Sequence, residues 1–536
     1  MPDPARREGR DARLWSLLNR LLGKGAAPQQ DASIRQPAVA GRDLLEQLEN
    51  LFQGADDVKI RRITLGEEGA EAAVLYIDGL VDAARIEETL LRPLMSWAGQ
   101  ASPAERRVVG RTPELLAQRV LAASEVALVR DLEEASAALL RGDVVLVLQG
   151  DRQGLQITNR GWQSRPIEDP LLEVTIRGPR DGFTENVMWN TALLRRRLRD
   201  PSLRVELFSI GRRSRTTVAM LHLASIAPDQ LVQEVRRRLN AIDIDGILDT
   251  GYIEQLIEDK WWSPLPQHLR TERPDRAAAA LLEGRVVIIA DTTPFVLVVP
   301  ATFDSLFHSP EDSYDRWFPV NLLRWVRFLA SVLSLIMPGL YVALVAYHPG
   351  ILPTEFTLRL MASREGVAFP VLVETLLMQF FLELIKEAGF RMPSSIGQTF
   401  GIVGGLILGD IGVRAGLVSD AMVIVVAITA VSSFAAVDRE LGTVLRLLGL
   451  PVLLSAAVLG LYGLTMALLL ILAHLCTLRS YGVPYLAPYG FYPLSDWKDS
   501  VFRAPLRHYR HRPAYLSPKD PQRMGRGSQG ETGGED

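Results

Sequence analysis

The density of charged side chains changes abruptly near Arg327. The chain before this point is ordinary charged sequence, whereas Phe328–Tyr347 has twenty residues without a charge and the run from Leu447 to Ala473 has twenty-seven. Because an α-helix rises 1.5 Å per residue, roughly 20 apolar residues cross the hydrocarbon core of a bilayer. The sequence therefore predicts a large soluble region joined to an all-α polytopic membrane domain. This order of parts argues against most secreted and most cytosolic enzymes.

The region before the break alternates helical and strand-like patterns, which indicates two α/β subdomains. We predict the first over residues 42–150 and the second over 151–315. Residues 1–41 are predicted to be an amphipathic helix followed by a linker. They lack the apolar core of a secretory signal, so we expect the soluble region to be cytoplasmic. Predicted strands include 72–77, 144–148, 172–176, 205–210, 217–222, 286–289 and 295–299.

The membrane domain is predicted over residues 316–480, with four to five membrane segments. The candidate segments are 328–347, 367–388, 396–413, 417–437 and 447–475. Basic residues flank both ends of this block, which favours a cytoplasmic location for both ends and hence an even number of crossings. One segment, either 367–388 or 396–413, is then re-entrant or interfacial. Residues 481–536 are predicted to be a cytoplasmic tail with a disordered end.

Signals for catalysis are absent from the sequence. No phosphate-binding loop, dinucleotide fingerprint, zinc-protease motif or nucleophile elbow occurs, so we predict neither an enzyme nor a cofactor. The net charge of −3 does not favour a nucleic-acid partner. The single cysteine, Cys476, allows no disulfide within one chain, and the calcium-like Asp243-Ile-Asp245-Gly246 lacks the later ligands of a calcium loop, so no metal site is predicted.

Polar residues inside the apolar block are candidates for an ion path. Glu374 has no basic residue three or four positions away, so it needs a partner helix, a proton or water. Asp410 and Arg414 are four residues apart and either pair with each other or line an ion path. Thr429, Ser432 and Ser433 form a small polar stripe that either bonds a neighbouring helix or faces a narrow pore.

A ladder of glycines occupies the third candidate segment and its continuation. Small residues at a spacing of four lie on one helix face and allow close helix packing in lipid, although glycine also permits bends. The ladder consists of Gly401, Gly405, Gly409, Gly412 and Gly416. Next to the first span, the basic residues Arg316, Arg324 and Arg327 are predicted to couple the soluble and membrane domains.

Long stretches of the sequence resemble the A subunit of GerA-type spore germinant receptors. Those in the soluble region are Leu75-Tyr-Ile-Asp-Gly-Leu-Val81, Arg177-Gly-Pro-Arg-Asp-Gly-Phe-Thr-Glu185, Ile242-Asp-Ile-Asp-Gly-Ile-Leu-Asp249 and Gly251-Tyr-Ile-Glu-Gln-Leu-Ile-Glu-Asp259. Those beyond it are Ser363-Arg-Glu-Gly-Val367, Gly401-Ile-Val-Gly-Gly405 and Tyr481-Gly-Val-Pro-Tyr-Leu486. The resemblance extends from about Asp56 to Pro513, but the charged element Gly409–Gly416 departs from the expected pattern.

The resemblance implies a non-enzymatic subunit in the spore inner membrane. Its expected partners are membrane lipid, a transporter-like B subunit, a lipoprotein C subunit and further copies of itself in a pentamer. The assembly would be a nutrient-gated cation channel that triggers germination. The alternative is a membrane-anchored scaffold or signalling subunit without its own pore. A secondary transporter ranks last, because the apolar block shows no two-fold repeat.

Overall fold

Two five-stranded sheets form the centre of the soluble region, and every strand pairing in them is antiparallel. The computed structural model describes residues 43–524 apart from 66–69, 103–104, 106–107, 110–111, 124, 160, 162–169, 171–172, 174, 392–406, 436, 491 and 501. The predicted segment 1–41 lies outside the described residues.

The first subdomain places helices on both faces of its sheet. The aliphatic strand over 144–148 is buried along its whole length, with alternate side chains in two separate cores. Its helices are α1 (Leu44–Leu51), α2 (Ala83–Ile86), α3 (Arg92–Gln100), α4 (Pro113–Arg119) and α5 (Leu132–Leu140), with a π-turn at Glu87–Leu91 between α2 and α3. Its strands are β1 (Val58–Leu65), β2 (Ala70–Ile77), β3 (Val126–Val129), β4 (Val144–Leu148) and β5 (Gly154–Ile157).

The second subdomain repeats this architecture. Its helices are α6 (Val187–Arg197), α7 (Asp229–Asn240), α8 (Thr250–Ile257) and α9 (Pro274–Glu283). Its strands are β6 (Leu203–Ile210), β7 (Thr216–Leu223), β8 (Leu269–Thr271), β9 (Val286–Ala290) and β10 (Val296–Val299). In both sheets the strands, counted along the chain, lie in the order first, second, fourth, fifth, third. The soluble region is therefore a structural duplication.

Two boundaries differ from the prediction. The first sheet continues beyond residue 150, because β5 pairs with both β3 and β4, so the first subdomain extends at least to Ile157. The described residues of the predicted strand 172–176 lie outside any strand. Polar atoms there bond to Arg273 instead: its guanidinium donates to the Glu173 carbonyl (3.1 Å) and to Thr175 Oγ1 (2.9 Å).

The C-terminal part is helical. It contains α10 (Trp317–Ala346), α11 (Thr354–Ala362), α12 (Val371–Arg391), the short α13 (Gly412–Arg414), α14 (Asp420–Phe434) and α15 (Arg439–Thr477), with a π-turn at Ile407–Ile411 before α13. Short 3-10 turns occupy Asp304–Phe307, Pro310–Ser313 and Pro349–Ile351. Among the described residues, two helices, α10 and α15, are long and apolar enough to cross a membrane.

Helix α15 is a hairpin rather than one continuous rod. Gly460 interrupts it with φ 61° and ψ −140°, a conformation that favours glycine. A Cβ added to Gly463 would lie 2.0 Å from the carbonyl oxygen of Ser455, eight residues earlier, whereas eight residues of unbroken helix rise about 12 Å. The predicted segment 447–475 is therefore divided into two arms, 439–459 and 461–477, that run in opposite directions.

The first arm of α15 begins at the second subdomain and the second arm ends there, and we call these two ends the bases of the arms. At the base of the first arm, Arg270 forms an ion pair with Glu440. At the base of the second, Lys260 Nζ donates to the Thr477 carbonyl at 3.1 Å. The apolar side chains of these two bases enter the core of the second subdomain, and they are Leu441, Leu445, Leu475 and Leu478.

The segment after α15 packs on the soluble region instead of extending away as a tail. It forms a small hairpin of β11 (Arg479–Ser480) and β12 (Val483–Pro484), and Tyr485 is fully buried in the same core. Further along, Lys519 Nζ bonds to Asp229 at 2.6 Å. The segment predicted as a C-terminal tail over residues 481–536 therefore belongs, in its described part, to the second subdomain, since short turns of 3-10 helix and buried aromatic rings dock it there. The predicted disorder over residues 519–536 is wrong for 519–524, where Lys519 bonds to Asp229 and the Arg523 N–H donates to the Arg510 carbonyl at 2.9 Å. Residues 525–536 lie outside the described part.

Candidate functional site

Arg324 occupies the junction where α10 leaves the soluble region. Its guanidinium is buried and donates to Asp312 Oδ2 (3.0 Å), the carbonyls of Asp499 and Ser500 (both 3.0 Å) and Asp499 Oδ1 (3.1 Å). One side chain thus joins α10 to the turn before it and to the returning C-terminal segment. A buried guanidinium requires such partners, because an unpaired charge away from water is costly.

Arg327 contributes to the same junction one turn later. It pairs with Asp312, which is also buried, and donates to the Phe307 carbonyl at 3.1 Å. Arg316, by contrast, is exposed at the start of α10. The structure therefore brings two of the three predicted coupling residues together around Asp312 and leaves Arg316 outside this group.

Glu374 is fully buried and has partners from two other segments. Its Oε2 pairs with Arg364, and its Oε1 accepts hydrogen bonds from the backbone N–H (2.7 Å) and Oγ (2.6 Å) of Ser419. Tyr341 of α10 lies beside this group, 3.3 Å from Ser419 Oγ. The required partner of Glu374 is thus Arg364, which precedes α12, so its carboxylate joins three parts of the helical region. An ion-path role for Glu374 stays a prediction.

The polar stripe of α14 faces the interior of the helical region. Thr429, Ser432 and Ser433 are all buried, and Thr429 Oγ1 donates to the Val425 carbonyl within its own helix. Ser433 Oγ accepts a hydrogen bond of 2.6 Å from Lys386 of α12. The ammonium of Lys386 also lies 4.9 Å from the centre of the Phe434 ring. The stripe therefore includes a contact between helices, and its place in a pore stays a prediction.

Asp410 and Arg414 pair with each other, with Arg414 Nε 2.9 Å from Asp410 Oδ1. Both side chains are exposed in the single chain. Of the predicted glycine ladder, Gly401 and Gly405 lie outside the described residues. Gly409 lies in the π-turn and Gly412 starts α13, so these positions do not share one straight helix.

Gly416 belongs to a turn, with φ 65°, and a Cβ there would lie 2.7 Å from the Gly366 carbonyl oxygen. Its role is therefore a close approach of two loops, and the prediction that it packs on a helix face is wrong.

A cleft of about 620 Å³ lies between the second subdomain and the base of the first arm of α15. Its acidic side chains include Glu254 and Glu258 of the α8 end, and Asp438 and Glu440 at the start of α15. Arg270 crosses the cleft, because its Nε donates to Glu254 Oε2 at 2.7 Å while Nη1 pairs with Glu440. Glu254, Glu258 and the buried His268 each place one ligand atom within 4.8 Å of the other two.

Burial dominates the electrostatics of this group. It raises the pKa of Glu254 and of Glu258 to about 7 and lowers the pKa of His268 to about 3. The charge of Arg270 opposes the shift of both carboxyl groups, and Glu440 adds to it. Each of these groups therefore favours its neutral form more than it would in water.

The sequence prediction missed Arg364, Ser419, Lys386 and Asp312, which are the partners of the residues it selected. No helical spacing links them: Glu374 and Ser419 are 45 positions apart, and Lys386 and Ser433 are 47. The Glu254–Glu258 spacing of four residues was a usable signal for one shared helix face, but His268 comes from a different element.

Comparison with known proteins assigns the family. A profile described as Bacillus/Clostridium GerA spore germination protein matches residues 46–515. Spore germination protein B1 of Bacillus subtilis (strain 168) is 37% identical over 485 residues, which cover 89% of this chain and 97% of that protein. The uncharacterized membrane protein YfkQ of the same organism is 37% identical, with coverage of 89% and 91%.

A solved structure is also similar in sequence. The N-terminal domain of the A subunit of the Bacillus megaterium spore germinant receptor GerK3 is 33% identical, covering 48% of this chain and 94% of that one, with a TM-score of 0.38. The profile match, together with 37% identity to two Bacillus subtilis proteins over nearly their full lengths, establishes the family. The chain belongs to the GerA family of spore germination proteins.

Proposed function

We propose that this chain is the A subunit of a nutrient germinant receptor, located in the spore inner membrane. Membership of the GerA family supports the role in germination, and the naming of one relative as a membrane protein supports the location. The soluble region and the C-terminal segment lie on the cytoplasmic side. The receptor also contains a transporter-like B subunit and a lipoprotein C subunit.

The observation that carries the proposed topology is the return of the chain to one subdomain. Helix α10 starts beside Asp312, and both arms of α15 have their bases in the core of the second subdomain. A chain that leaves and re-enters on the same side crosses a bilayer an even number of times. This supports a multi-pass membrane domain and accounts for basic residues at both of its ends.

The channel function rests on the polar interior of the helical region. Lys386 and Ser433 lie inside it in the half near the soluble region, and Glu374 lies inside the opposite half, near the far end of α10. Ionisable side chains at such depth are usually paired or face water, and they frequently mark ion paths. In our proposal, copies of the chain assemble, as a pentamer, into a cation channel that opens when the nutrient binds elsewhere in the receptor.

A scaffold without its own pore is the second candidate. The observation that favours it is that Glu374 and Ser433 already have partners within one chain. If these contacts persist in the assembled receptor, the polar groups stabilise helix packing and line no path. The two functions differ in whether the ion path of the receptor runs through this chain.

The test is nutrient-triggered cation flux through liposomes that contain the full chain assembled with its B and C subunits. Under the channel proposal, Ser432→Leu lowers the flux, because Ser432 is buried in the polar stripe, whereas Val431→Leu, at the adjacent and 72% exposed position, leaves it unchanged. Nutrient-triggered flux that is equal in all three proteins contradicts an ion path along this stripe and favours the scaffold.

A further inference from the structure

We infer that Glu254, Glu258 and His268 form a binding site for one divalent transition-metal cation at the junction of the second subdomain and α15. The three ligand atoms lie within 4.8 Å of one another. One imidazole nitrogen with two carboxylate oxygens is a donor set that suits Zn²⁺ and related ions. This inference does not depend on channel activity.

The imidazole of His268 gives the observation that is independent of the acidic residues. The side chain is 1% exposed, and its Nδ1 has no hydrogen-bond partner among the described residues. That atom faces the cluster, 3.9 Å from Glu254 Oε1. A buried polar atom without a partner is uncommon and calls for an explanation such as a bound ion.

The opposite nitrogen of the ring is held in the way that metal-binding histidines usually are. His268 Nε2 lies 3.1 Å from the hydroxyl of Tyr481, and a proton on Nε2 donated to this oxygen leaves the lone pair of Nδ1 directed at the cluster. The Arg270 guanidinium bonds to Glu254 through Oε2, so Oε1 remains available on the side of His268.

The distance between His268 and Glu254 requires only a small adjustment, and the Glu258 oxygen, within 4.8 Å of both, has to approach them by at most about 1.4 Å. Ligands about 2.0–2.2 Å from a tetrahedral Zn²⁺ lie roughly 3.4 Å apart, so the 3.9 Å between Nδ1 and Oε1 closes by about 0.5 Å on binding. Glu258 is partly exposed at the cleft, which gives the ion a route from solvent and leaves room for water as a further ligand. The cleft is also acidic, which favours a cation.

A second histidine in the same fold is a matched control. His222 is also buried, its Nδ1 also lacks a partner, and it also lies 3.9 Å from a carboxylate oxygen, that of Glu206. Both oxygens of Glu206, however, accept bonds from Arg236, at 2.6 and 2.7 Å. No second carboxylate joins this group among the clusters found in the described residues. His222 therefore has a buried Nδ1 without a hydrogen-bond partner, as His268 does, but lacks the two carboxylates that would complete a metal site.

The experiment measures Zn²⁺ binding to the tag-free full chain in detergent, by metal content after dialysis and by titration. The parent is expected to bind one Zn²⁺, and Co²⁺ in its place should give the visible absorption of a low-coordinate site. His268→Ala and Glu258→Gln should weaken binding at least tenfold, and His222→Gln should bind like the parent. Glu258 is partly exposed, so its variant keeps the test valid if His268→Ala fails to fold. A parent without bound Zn²⁺, or equal binding by Glu258→Gln and the parent, overturns the inference.

Discussion

The buried ion pair between the two subdomains allows a quantitative prediction. Arg195 of α6 and Asp57, just before β1, are 0% and 1% exposed, and Arg195 donates two hydrogen bonds to the carboxylate, at 2.7 and 2.8 Å. Replacing Asp57 by Ala leaves the guanidinium buried and unpaired. Loss of one partner of a buried pair costs about 3–5 kcal/mol. At about 2–4 °C per kcal/mol for a domain of 150–250 residues, this is roughly 6–20 °C of thermal stability.

The double variant Asp57→Ala/Arg195→Met separates the pair from its surroundings. It removes both charges, together with Arg195 Nη1, which has no partner in the described part of the chain. We expect the double variant to regain most of the lost stability, because an apolar replacement of a buried pair is often neutral or stabilising. Thermal unfolding of the full chain in detergent, followed by circular dichroism, compares both variants with the parent.

An exposed pair with similar bidentate geometry is the control. Arg212 and Asp243 are each 65% exposed, so solvent screens the pair and Asp243→Ala should barely shift the unfolding transition. The reasoning is refuted if Asp57→Ala and Asp243→Ala shift the transition equally, or if the double variant is less stable than Asp57→Ala alone.

Three further predictions concern the helical region and the second subdomain. Gly463→Ala should prevent the α15 hairpin from forming, seen as loss of folded chain in detergent, because the added Cβ would lie 2.0 Å from a carbonyl oxygen of the first arm. Glu374→Ala should lower the free energy of unfolding by about 3–5 kcal/mol, because it leaves the Arg364 guanidinium without its carboxylate partner. The double variant Glu374→Ala/Arg364→Met should regain much of this loss. Burial lowers the pKa of His222 to about 4, so its contribution of about 3 kcal/mol, present above pH 6.5, should be lost as the pH falls toward 4.

Each of these has a contrary outcome. Gly389 is a helical glycine with nothing within 4 Å of its added Cβ, so Gly389→Ala should fold normally; equal behaviour of the two alanine variants would contradict the hairpin. If Glu374→Ala with Arg364→Met is no better than Glu374→Ala, the two side chains are not energetically coupled. His222→Gln should flatten the stability profile between pH 6.5 and 4, and an unchanged profile would show that the pKa of His222 is the same in the folded and unfolded chain.

Local patterns predicted the aliphatic strands of the soluble region, because runs such as 144–148 and 286–289 lie in fully buried strands. They did not predict β1, β3 or β8, which are less uniformly buried or only three to four residues long. The duplication of the two subdomains was not predicted, since it depends on which strands pair across long stretches of chain. The extension of the first sheet to β5 was missed for the same reason. The strand Gly154–Ile157 is only four residues long and follows several turn-forming residues.

In the helical region, composition identified the apolar runs but not their path. The run 447–475 has no charge that marks a turn, and the reversal depends on the backbone conformation of one glycine, Gly460. The basic flanks did predict that both ends of the block lie on one side, which agrees with the docking of the α15 bases. The partners of Glu374 and Ser433 depend on tertiary contacts, so spacing along the chain carried no signal for them.

The central claim is that the soluble region and the C-terminal segment lie on one side of the membrane and the far end of α10 on the other. Labelling one position in each of these three parts tests it most directly. In a Cys476→Ser background, single cysteines would replace Ser209 on β6, Gly350 beyond the far end of α10, and Ser495 in the C-terminal segment, all exposed. A membrane-impermeant maleimide applied to sealed vesicles should label Ser209→Cys and Ser495→Cys from one side and Gly350→Cys from the other. Labelling of Ser209→Cys and Ser495→Cys from opposite sides, or of all three from one side, would contradict the proposed topology.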